Sequence, residues 1–127
     1  MTEQATSTNA DPAADGIALA RRAVEIAEDR QASDILLLDV RNICGYADAF
    51  VLMTVESKRQ GQAIQEAMHK GLKESGQAVL RTEGDADAGW LLMDFNDVIV
   101  HIFAGEQRKL YGLEQLWRSA VPLVRIQ

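Results

Sequence analysis

Hydrophobic positions recur at two different spacings along this chain, and the switches between them predict its elements. From residue 17 to 30, Ile17, Ala20, Val24 and Ala27 return every three or four places, while Arg21, Arg22, Glu25, Glu28 and Asp29 fill the other face. This is an amphipathic helix, with Asp15 placed as its N-cap. Its stripe is made of small residues, which predicts close packing on a sheet. A second helix opens at Ser57, where Gln60 completes a capping box and Gly76 stands where a C′ glycine belongs. Ile64, Ala67, Met68 and Leu72 form its buried stripe. Gly61 and Gly71 each weaken it by about 1 kcal/mol relative to Ala, so tertiary packing must hold it. A third helix is predicted over 106–117, with Leu110, Leu113 and Trp117 on one side and Pro122 barring further helix.

Between these segments the apolar runs become continuous. Residues 35–40 (ILLLDV) and 50–55 read as interior strands. The loop between them, 41–48, is too short for a parallel crossover, so the two strands should be antiparallel if adjacent. Residues 78–82 form a shorter, more polar run suited to a sheet edge. The unit from 50 to 82 has room for a right-handed crossover that sets its two strands parallel. Residues 90–95 and 98–103 flank Asn96-Asp97, and Asn tolerates a positive φ, so a tight two-residue hairpin turn is available. The fold class is α/β (α+β): one domain, a mixed five-stranded sheet packed with helices. Residues 1–14 have almost nothing to bury and are expected to be a disordered tail, leaving 15–127 as the domain. The last stretch, VPLVRIQ, is apolar enough to lie against the body.

Composition narrows the function classes. The chain has 127 residues and a net charge of −6, enough for one core and the wrong sign for non-specific binding to a phosphate backbone. The lone Cys44 permits no internal disulfide, no run approaches the roughly twenty apolar residues of a spanning helix, and the N-terminus lacks a signal-peptide pattern. A soluble, cytoplasmic protein is expected. The charges are unevenly placed. Between Arg81 and Arg108 no Lys or Arg occurs, whereas Glu83, Asp85, Asp87, Asp94, Asp97 and Glu106 all fall there. An apolar hairpin with an acidic border suits a basic protein partner. Trp90, at the mouth of the hairpin, is the expected anchor, and Glu83, Asp94 and Asp97 the carboxylates that meet Lys or Arg of the partner. Tyr111 and Asp48 are second-rank candidates.

Signs of catalysis are sparse. The glycines are scattered singly, with neither a dinucleotide fingerprint nor a phosphate loop, and His69 and His101 are isolated. His69 reads as a solvated helix residue and His101 as a satisfied core or interface histidine, since no nucleophile adjoins it. Cys44 reads as a buried, inert thiol, Asp39 as a strand-end residue and Asp48 as a turn former. Asp85 and Asp87 could share Mg²⁺ and orient a triphosphate, which makes a Mg²⁺-dependent nucleotide enzyme of nucleotidyltransferase type the alternative. Against it, the pair sits in GDADAG, read as a solvated loop, and no Gly-Ser element precedes it. No catalytic residue, metal or cofactor is assigned.

Three stretches taken together resemble a known family: SDILLLDVRNICGYADAFVLMTVESKRQ, then RTEGDADAGWLLMDFNDVIVHIF, then Glu106, Arg108, Tyr111, Leu113, Glu114, Leu116 and Trp117 in the pattern ExRxxYxLExLW. Their order and spacing, over roughly residues 17–117, resemble the ribosomal silencing factor family, also called Iojap-related. The chain departs from the usual family pattern at Asp48-Ala49-Phe50, at Val55-Glu56-Ser57 and at the turn Phe95-Asn96. The resemblance implies a translation repressor with no enzymatic activity. It would bind the large ribosomal subunit at ribosomal protein L-fourteen and sterically prevent joining of the small subunit. It further implies a nucleotidyltransferase-like shape without the catalytic residues, and self-association as a homodimer off the ribosome. Neither a membrane nor sequence-specific nucleic acid is implied as a partner.

Overall fold

The computed structural model describes the chain over residues 12–85, 88–105 and 119–127. The tail expected over 1–11, the helix expected over 106–117 and the candidates Tyr111 and Asp87 lie outside the described residues. In chain order the described elements are helix α1 (Pro12–Asp29), strands β1 (Ser33–Asp39) and β2 (Ala49–Val55), helix α2 (Lys58–Glu74), then strands β3 (Arg81–Asp85), β4 (Trp90–Asp94), β5 (Val98–Ala104) and β6 (Val121–Ile126).

The strands form one mixed sheet in the order β3-β4-β5-β2-β1-β6. Only β2 and β5 pair in parallel; every other neighbouring pair is antiparallel, including β1 with β2 as their short loop requires. The sheet has six strands rather than five, because the apolar C-terminal stretch pairs with β1 as an edge strand. Pro122 explains why that stretch sits at an edge: it lacks the N–H an interior strand would need, and the register shifts where it faces Leu38. The strand expected over 78–82 lies instead at Arg81–Asp85. All five of its residues are exposed, so no hydrophobic alternation marks its ends. It runs parallel to β2, as a crossover through α2 requires, but β4 and β5 lie between them.

Helix α1 begins at Pro12, not behind a cap at Asp15. Proline's fixed φ is ready-made for a first helical position. Both helices cover one face of the sheet, where Ala20, Ala23 and Ala27 are fully buried against the strands. The small stripe therefore does what it predicts. Helix α2 is entered through its capping box: Ser57 Oγ accepts from Gln60 N at 3.0 Å, and Gln60 Oε1 accepts from Glu56 N at 2.8 Å, one residue earlier than the usual reciprocal bond. Gly71, unfavourable for an isolated helix, is where α1 crosses α2; a Cβ there would lie 2.5 Å from Ile26 Cδ1. Gly76 follows the helix with φ 107°, the left-handed conformation expected of a C′ glycine.

Candidate functional site

The hairpin β4–β5 positions the candidate surface. Asn96 takes φ 74°, so the chain reverses in two residues, with Phe95 N donating to Val98 O at 2.9 Å. The turn is tied from within by Asp94, whose Oδ1 accepts from Asn96 N at 2.8 Å. Strand β3 pairs alongside in register, Arg81 opposite Asp94, Glu83 opposite Leu92 and Asp85 opposite Trp90. Side chains alternate across a strand, so Arg81, Glu83, Asp85, Trp90, Leu92 and Asp94 all share the face turned away from the helices. Three of the predicted binding residues, Glu83, Trp90 and Asp94, are thereby brought together.

Three features of this face escape the linear pattern. Arg81 stands at the boundary of the cation-free stretch, yet cross-strand pairing lays it over the carboxylates. Its Nη2 is 3.0 Å from Glu83 Oε2 and 3.9 Å from Asp94 Oδ2. Asp85 closes β3 as a strand residue instead of floating in a loop, and its Oδ1 accepts from Ala88 N at 2.8 Å, bracing the turn into Trp90. The Trp90 ring in turn lies over Gly84, whose φ is 75°, and a Cβ at Gly84 would run into the Trp90 carbonyl oxygen. Trp90 is partly buried, packed on the cluster that includes Phe103, its partner on β5. It is core at one edge and open at the other.

Asp97 and Asp48 belong elsewhere. They lie past the turn end of the hairpin, outside the paired strands β3 and β4. The Asp97 carbonyl accepts from Asp48 N at 2.7 Å and from Ala49 N at 3.2 Å, joining the hairpin turn to the start of β2. The Asp48 side chain packs on Gly16 in α1, so closely that a Cβ there would collide with it. At the end of β1, Asp39 is gripped by Arg41 through Oδ1 at 3.0 Å and Oδ2 at 2.6 Å; this ion pair holds its carboxyl below the usual value, against a smaller opposing effect of burial. Tyr46, in the loop that follows, is 67% exposed and its ring reaches Phe50 at 6.4 Å between centroids. Cys44 in the same loop is partly exposed, not buried.

His101 is in the core, but it is not satisfied there. It is 5% exposed, stacked on Phe103 at 6.0 Å and meeting Phe50 edge-on at 5.5 Å, and its Nδ1 has no hydrogen-bond partner among the described residues. Burial with no compensating partner pushes its pKa down to about 4, so the ring is neutral near pH 7. Among the described residues, no three His, Cys, Asp or Glu side chains gather in a way that could hold a metal ion, and no helix is long and apolar enough to cross a membrane.

Comparison with known proteins gives the family and the fold. Residues 13–127 match the model of a family described as ribosomal silencing factor during starvation. The chain is 36% identical over 109 residues to ribosomal silencing factor RsfS of Halalkalibacterium halodurans, covering 86% of this chain and 92% of that protein. It is 40% identical over 93 residues to ribosomal silencing factor RsfS of Bacillus subtilis, covering 73% and 79%. Among solved structures it is similar to a crystal structure of a Chromobacterium violaceum protein, with a TM-score of 0.76 at 30% identity over 80% of this chain and 85% of that one.

Proposed function

Because the chain belongs to the ribosomal silencing factor family, we propose that it represses translation in the cytoplasm by binding the large ribosomal subunit at ribosomal protein L-fourteen. The bound protein blocks the small subunit sterically. A chain of this length folds to a radius of gyration of about 14 Å, bulk enough to keep two closely apposed surfaces apart. The activity is binding alone and has no chemical step.

The observation that carries this reading is the shared face of β3 and β4. An aromatic anchor, Trp90, and an apolar neighbour, Leu92, are bordered by Glu83, Asp85 and Asp94 against the single guanidinium of Arg81. Such a face repels phosphate and steers towards basic protein. Glu83 is 46% exposed and reachable, whereas Asp94 is 22% exposed and already holds the turn, so Glu83 is the stronger candidate for direct contact. Asp48 and Asp97 serve chiefly to fix the hairpin.

Two substitutions test the assignment through sedimentation with purified subunits. Trp90→Ala is expected to weaken binding to the large subunit by about 30-fold or more, the loss of a central anchor worth about 2 kcal/mol. Arg81→Gln frees Glu83 and Asp94 and is expected to speed association at low salt, an advantage that fades as salt rises. A folded Trp90→Ala protein that binds as tightly as wild type would remove the anchor from this account.

A further inference from the structure

We draw no further inference here: the strongest candidate, the cavity on the helix side of the sheet between the start of α2 and the C-terminal ends of β2 and β5, has an apolar floor of Leu91 and Ile102, and nothing in the structure shows what covers it.

Discussion

At the scale of single residues, His101 and Asn96 show how a side chain's surroundings decide its meaning. His101 has a folded pKa near 4 against 6.5 for the free group, so the unfolded chain takes up a proton between those values and the folded chain does not. Stability therefore rises with pH through this window and is lost as pH falls from 6.5 towards 4. At about 1.4 kcal/mol per pH unit, the full effect is on the order of 3 kcal/mol. His101→Leu should remove that slope, which urea unfolding at pH 4.5 and pH 7 would measure. Asn96 carries the hairpin reversal at φ 74°. Asn96→Val should cost about 1–2 kcal/mol, and Asn96→Gly should change stability by only a few tenths, readable from the same unfolding curves. The sequence shows Asn96 plainly because turn chemistry is local. It does not show that His101 Nδ1 finds no hydrogen-bond partner among the described residues, because that depends on which residues from other strands surround it.

Among elements, the two helices and the hairpin were legible and the outer strands were not. Ser57 with Gln60, the stripe from Ile64 to Leu72 and Gly76 are each local signals that agree with one another, and α2 forms where they place it. Ser57→Ala should cost about 1 kcal/mol in thermal or urea unfolding. Gly71 makes a sharper test of packing. Gly71→Ala favours the helix by about 1 kcal/mol but drives a methyl towards Ile26 Cδ1, 2.5 Å away. It should destabilise the wild-type protein and stabilise an Ile26→Val protein, which lacks that atom. The edge strands β3 and β6 gave little warning of their bounds. An edge strand buries little, so Arg81–Asp85 has no apolar alternation, and β6 carries a proline that reads as a break until a sheet edge accommodates it.

In the whole molecule, the candidate surface was half visible before the fold was known. Trp90, Glu83 and Asp94 stand out in sequence as an aromatic and two acids in a cation-free stretch, and the fold gathers them on one face. Asp97 and Asp48 carry the same chemistry in sequence, but the topology directs them to a joint between the hairpin turn and β2. Arg81 could not be read in advance, since its place over the carboxylates arises from pairing between strands. The central claim is that this face seats the protein on the large subunit and keeps the small subunit away. The most direct measurement is to mix purified large and small subunits under joining conditions, add the protein, and follow joined ribosomes by gradient sedimentation. The account predicts that joined ribosomes fall as protein is added, with the protein travelling only with large subunits, and that Trp90→Ala requires about 30-fold more protein for the same effect. Joined ribosomes that form undiminished in the presence of saturating protein would contradict it.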